Sequence, residues 1–373
     1  MSLEIPRLSG QGVFLPFRIG NITYRGTVGL NVLTRLSFGV AMLGIATVLM
    51  VVIGSAVGPF NIPLSHTTST LLEMVGIGNS IAEPTEQAII RSIRLPRIFL
   101  ALFVGAALGI SGGIMQGLFR NAMADPGIIG VSSGGAVGAV AAITSGFSSV
   151  STLFLPLFAV IGSSLSMAVV FGIASIGGRF SMGTLLLVGI AVSSFLAAIT
   201  SAMIILTDNL NVQRQIIFWI TGGFDTARWE SVQIAAPVII VGSLVTVFVA
   251  RDLNVLLVSE DEARALGVRV GVVRSALLIS ASLITGTAVA FSGIIAFVGL
   301  VVPHVIRLVA GADHRVLLPL SALGGGLFLV IADTAARVVL SPAELRVGIL
   351  TAMIGAPFFI YLLVQNRSRA SML

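Results

Sequence analysis

An all-α integral membrane protein with about ten transmembrane helices is the fold class that three observations predict. The chain of 373 residues is 56% hydrophobic and only 10% charged, where soluble domains carry about a quarter charged residues. Its mean hydropathy is +1.08. Apolar runs recur along it, each near the roughly 20 residues that a bilayer-crossing helix needs. Backbone groups in lipid must pair within the segment, which makes these runs helices. The strand-length alternation of an outer-membrane barrel is absent.

The first run, Leu36–Gly58, follows a polar head of residues 1–35 that shows no short basic start and no small-residue cleavage site. It reads as a permanent anchor rather than a signal peptide. Ile98–Phe119 and Gly127–Gly146 come next, and both carry glycine at every fourth position: Gly105, Gly109, Gly113 and Gly117, then Gly130, Gly134 and Gly138. Such spacing puts glycine on one helix face and predicts close backbone packing. Thr152–Ile176, Leu185–Leu206 and Ser231–Ala250 are apolar runs free of charge, and Val272–Ala290 is one broken only by Arg274. Ile294–Ala310, Leu317–Val339 and Gly348–Gln365 complete a single ten-helix domain over residues 36–366, with a tail over 367–373.

Charge orients these spans. Every basic residue is an arginine. With the N-terminus inside, fourteen fall on inner segments (Arg7, Arg18, Arg25, Arg35, Arg120, Arg179, Arg251, Arg264, Arg269, Arg274, Arg307, Arg315, Arg367 and Arg369). Seven fall on outer ones (Arg91, Arg94, Arg97, Arg214, Arg228, Arg337 and Arg346). That bias predicts an N-in, C-in topology. The net charge of +6 is thereby a matter of topology, and no nucleic-acid partner is called for. The head before Arg35 reads as a basic extension near anionic lipid.

Several chemistries are excluded. There is no cysteine, hence no disulfide, thiolate metal site or thiol catalysis. There is no lysine, hence no G-x-x-x-x-G-K-[ST] phosphate loop. His66, His304 and His314 lack metal-ligand spacing, so no metal and no catalytic residue is assigned. Asp333 is the only acid inside a span and lies in its outer half. An ion-coupled secondary transporter would want ionisable groups near the midplane, and an intramembrane enzyme would want a buried catalytic set. Trp219 reads as an interfacial aromatic.

One polar break stands out. "MQGLFRNAMADPGIIGVSSGG", Met115 to Gly135, holds an arginine, an asparagine and an aspartate between two spans. Turn chemistry explains Asp125 to Gly127 but not Arg120, Asn121 or Met123. A second polar piece, "SEDEARALGV", Ser259 to Val268, lies in the inner connection 251–271. Its acidic start and later Arg264 suit a short helix by macrodipole logic.

These pieces, with "RLPRIFLALFVGAALGISGGIM", "FWITGGFDTARW", "FSGIIAFVGLVVPHVIRLVAGADHRVLLP", "ADTAARV" and "ELRVGILTAMIGAPFFIYLL", resemble the permease subunits of ABC importers for haem, iron-siderophore complexes and cobalamin. The resemblance covers nearly the whole chain from Arg91 onward. It implies a homodimer around a central pathway, two cytoplasmic ATPase subunits that bind ATP and Mg, an external substrate-binding protein, and a bacterial cytoplasmic (inner) membrane as the site. It assigns a cytoplasmic gate to Asn121, Met123, Ser181 and Met182, with Ala122 where the family usually has proline. It makes 259–268 the element that couples to the ATPase, through Glu260, Asp261, Glu262, Ala263, Arg264, Leu266, Gly267 and Val268, with Ala263, Leu266, Gly267 and Val268 as its packing face. It gives Arg94, Arg97 and Arg337 to docking of the binding protein, since guanidinium pairs bidentately with carboxylate. Ser194, Ser201, Met203 and Met353 are expected along the pathway. The polar break from Met115 to Gly135 is closest in form to haem members, so haem is the expected cargo, ahead of a ferric siderophore and cobalamin.

Overall fold

The computed structural model describes residues 18–19, 22–23, 31–176, 182–341 and 343–370. Two-residue strands β1 (Arg18–Ile19) and β2 (Ile22–Thr23) pair antiparallel. The rest is helical. In order come α1 (Val32–Ala56), α2 (Leu64–Met74), α3 (Pro84–Ala88), α4 (Leu95–Leu118), α5 (Val131–Thr144), α6 (Phe147–Val150), α7 (Phe154–Ala174) and α8 (Met182–Ile205). They are followed by α9 (Leu210–Ile220), α10 (Trp229–Phe248), α11 (Ala250–Val258), α12 (Glu260–Ala265), α13 (Val270–Ser292), α14 (Val298–Ala310), α15 (His314–Val338) and α16 (Val347–Ala370).

Each of the ten expected segments coincides with one of these helices. Seven described helices are long and apolar enough to cross a membrane, and α5, α14 and the start of α16 are shorter apolar ones. The short ones have local causes. The segment expected from Gly127 opens with a 3-10 turn, Pro126–Ile129, and Gly130 at φ 84° before α5 begins. The segment expected from Ile294 opens outside any helix, and Phe297 at φ 69° sets the entry to α14. The second span is longer than expected. Glu83 and Glu86 form a capping box at Pro84, and α3, a π-helical stretch Ile89–Arg94 and α4 run on as one 35-residue helix.

This long helix is the centre of the bundle, with α15, α13, α14 and α10 packed around α4. Lipid offers no hydrophobic drive for helices to associate, so they hold through close van der Waals contact at small residues. At Gly105 a Cβ would collide with the Gly325 carbonyl, at Gly109 with the Ser321 carbonyl, and at Gly112 with the Gly299 carbonyl. A second seam repeats the device, where a side chain on Gly134 or Gly138 would strike the backbone of Gly162 or Phe158 on α7. Ser163 and Ser166 of α7 donate across it to the Val131 and Gly130 carbonyls, at 2.9 and 2.8 Å. By contrast α1 and α8 turn most of their apolar surface outward, including Phe38, Ile45, Leu49, Leu187 and Phe195.

Replacing Gly109 by valine forces α4 from α15 and should destabilise by about 3 kcal/mol, the upper end for overpacking. Gly44→Ala, where nothing lies within 4 Å of the added Cβ, should be neutral. Thermal unfolding of detergent-solubilised protein separates the two.

Candidate functional site

Hydrogen bonds sort the bundle into two ends. One gathers the C-terminus of α1, the start of α4, the α9–α10 connection and residues 344–346. The other gathers the end of α4, α11, α12 and the start of α15.

At the first end the three arginines expected at a docking surface come together, but inside the protein. Arg94, Arg97 and Arg337 are 4%, 9% and 2% exposed. The last carbonyls of a helix have no partner within it, and in an apolar surrounding each must find one. For α1 the arginines supply it. Arg94 donates to the Ser55 and Ala56 carbonyls at 2.6 and 2.8 Å, and also to Phe60. Arg337 donates to Gly54 and Val57 at 3.1 and 3.2 Å. Arg97 grips Asp333 through Nε (3.1 and 3.0 Å) and Nη2 (2.9 Å), and reaches Glu344 at 2.8 Å. Arg337 Nε lies 3.4 Å from Asp333 Oδ2. This corrects the expectation of exposed docking points: the three are buried, and most of their donors are taken up by the fold. The sequence reading missed Glu344 as a member. The i,i+4 spacing of Asp333 and Arg337 was the available signal.

At the second end the polar break is a helix terminus held open. Arg120 N donates to Gly117 O and Asn121 N to Gln116 O, the paired bonds of a Schellman motif. The left-handed position, normally glycine, is Arg120 at φ 48°. Its guanidinium reaches the Leu256 carbonyl of α11 at 3.0 Å. Asn121 Oδ1 accepts from Met123 N at 2.9 Å, and Asp125 Oδ1 from Gly127 N at 2.8 Å. Ala124, Asp125 and Ile129 share a small cleft with Leu185 and Leu186 of α8, and among the described residues none of the expected gate positions lines it. Met182 is half-buried against the core; Ser181 lies outside the described residues.

The expected short helix is α12, capped by Ser259 Oγ accepting from Glu262 N at 2.9 Å. Arg264 pairs with Glu260 at 3.2 Å and Asp261 at 2.9 Å, and Arg274 of α13 also holds Glu260. The expected packing face divides. Ala263 is fully buried and faces the chain's own core, and Val268 is half-buried, whereas Leu266 is 72% exposed beside Gly267. A groove of about 600 Å³ between α11 and the start of α13 runs past Leu266 and Gly267. Nearby, Asn254 of α11 ties down α15, accepting from His314 N at 2.9 Å and donating to Asp313 at 2.7 Å. Burial would raise the Asp313 carboxyl, but the hydrogen bonds from Arg315 and Asn254 outweigh it and hold the group below the usual range.

Of the expected pathway residues, Ser194, Ser201 and Met353 stand exposed on α8 and α16. Met203 does not: it packs against Val140, Ile143 and Ile216. The sequence reading also missed a cavity of about 420 Å³ at the first end, lined by α9 and the connection into α10. Among the described residues, no group of three or more His, Asp or Glu could hold a metal ion.

Asp333→Asn leaves Arg97 and Arg337 without their buried counter-charge, and should cost about 3–5 kcal/mol. Glu344→Gln, at the open edge of the same cluster, should cost about 0–1 kcal/mol. Thermal unfolding in detergent reads both.

Comparison with known proteins bears directly on these features. The cobalamin import system permease protein BtuC of Halobacterium salinarum is 50% identical over 289 residues, which cover 77% of this chain and 76% of that one. The hemin transport system permease protein HmuU of Yersinia pestis is 38% identical over 333 residues, 88% of this chain and 97% of that one. A solved inward-facing conformation of a metal-chelate type ABC transporter superposes with a TM-score of 0.77 at 33% identity, over 87% of this chain and 98% of that one. The FecCD transport family model matches residues 46–365. The chain belongs to the FecCD transport family.

Proposed function

We propose that this chain is the membrane permease subunit of an ABC importer for a metal-bound tetrapyrrole ring, cobalamin or haem, with a ferric siderophore as the alternative cargo. The observation that carries the reading is the match over most of the chain to relatives named as import permeases for cobalamin and hemin. The higher identity favours cobalamin and the longer match favours haem, so the form of the polar break at Met115–Gly135 does not single out haem. The 50% identical relative is from a Halobacterium, which supports a prokaryotic cytoplasmic membrane without restricting it to bacteria.

The work is mechanical. The motor is a pair of separate ATPase subunits seated on the α12 end, where Leu266 and Gly267 project beside the groove. Two copies of the chain enclose the pathway along α8 and α16. ATP-driven closure moves α12, and through α11 and Arg120 it moves the turn at Asn121 and Met123 and the start of α8 at Ser181 and Met182. A substrate-binding protein docks at the opposite end, on a rim that Arg94, Arg97 and Arg337 shape from beneath. Asp333 is tied to two arginines, which disfavours its service as a proton-coupling site.

Proteoliposomes holding the permease with its cognate ATPase and binding protein should take up cyanocobalamin or haem only when ATP is supplied. Uptake by the permease alone, driven by a proton gradient, would replace this reading with a secondary transporter. Leu266→Asp should lower binding-protein-stimulated ATP hydrolysis at least tenfold and leave thermal unfolding unchanged. Unaltered coupling in that variant would remove α12 from the contact.

A further inference from the structure

The cavity at the arginine-cluster end is formed in an unusual way. Helix α9 is amphipathic, and Ile216 on one side is fully buried against Val140 and Ile143. Its other stripe, at positions three and four apart, lines this open cavity and includes Arg214, Phe218 and Trp219. Arg228 and Arg346 come in from the neighbouring connections, and Asp225 is the one acid in the wall. Three guanidiniums against one carboxylate leave the lining at +2. Arg346 is already engaged: it pairs with Asp225, and its Cζ lies 4.5 Å from the Phe218 ring centre. Arg214 and Arg228 are exposed, and neither has an ion-pair partner among the described residues.

The volume of about 420 Å³ lies within the range of small-molecule sites. Two uncommitted guanidinium forks in a concave wall attract carboxylate and bind it bidentately. Aromatic faces beside them suit the apolar body of a flat ring. A cargo rimmed with neutral amides would find no counter-charge here.

We propose that this cavity is a binding site for the ionised carboxylate arms of a flat metal-chelating ring, with Arg214 and Arg228 as the carboxylate clamps and Trp219 beside the ring. The proposal rests on the importer reading above and narrows its cargo to carboxylate-bearing tetrapyrroles.

The chain contains two tryptophans, so Trp229→Phe leaves Trp219 as the sole indole. In the full-length chain solubilised in dodecylmaltoside, ferric protoporphyrin should quench Trp219 saturably and less tightly as salt is raised. Its dimethyl ester, the same ring without ionised carboxylates, should bind at least tenfold more weakly. Arg214→Gln with Arg228→Gln should weaken the acid at least tenfold and leave the ester unchanged, and the corresponding double lysine variant should recover part of the loss. Equal binding of acid and ester overturns the proposal, and this comparison on unmutated arginines decides even where the glutamine variant fails to fold. Loss of binding-protein affinity in the glutamine variant with porphyrin quenching intact also overturns it, by giving the arginines to a protein partner. The importer reading fails separately, through absence of ATP-driven uptake of any chelate by the wild-type assembly.

Discussion

Backbone running against backbone between α4 and α15 is the constraint on which the rest of the bundle depends. Because Gly105 and Gly109 offer no side chain toward Gly325 and Ser321, two helices approach as closely as their main chains permit. That nearness lets one helix serve as a common wall for α13, α14 and α10. It also brings residues far apart in sequence into range of each other. Arg97 and Asp333 meet, and Gln116 of α4 bonds at once to Arg307 (2.7 Å) and to the carbonyls of Gly299 and Leu300. In lipid a buried cation is costly, and each of these is matched from a helix that the glycine seam holds in place.

The two ends of the bundle put polar chemistry to different uses. At one, arginines are consumed in sealing a helix terminus and in a buried ion cluster. At the other, a left-handed arginine at φ 48° closes α4, and its guanidinium is left to touch α11. A non-glycine residue held in that conformation stores local strain and persists only where its surroundings insist on it. Here the insistence is the contact with Leu256 O, so the shape of the turn and the position of α11 are set together.

Much of this was legible in the residues. Long apolar runs announce spans because composition alone decides whether a segment can lie in lipid, and glycine spaced at four announces a seam because helical geometry fixes which positions share a face. The three acids from Glu260, with Arg264 after them, announced α12 for the same kind of local reason. What stayed hidden depends on partners distant in sequence. The arginines of "RLPR" read as surface groups because their partners are distant in sequence: α1 carbonyls for Arg94, and Asp333 and Glu344 for Arg97. Met203 read as pathway lining because nothing local says that α5 and α9 cover it. The late starts of α5 and α14 were hidden because apolar residues continue through Ile128 and Ile295 while the backbone turns on Gly130 and Phe297. The cavity on α9 escaped notice because its arginines had already been explained as topology.

The way α1 is attached has a consequence for movement. It is moored at its terminus by side chains from two different helices, and one face runs along α15 while most of its circumference is turned outward. A small shear between α4 and α15 would pull on both tethers unequally, so α1 must either pivot with the pair or let a carbonyl go unpaired in lipid. The helix that contributes least to the packed interior thus places a ceiling on how far the two most tightly packed helices can slide.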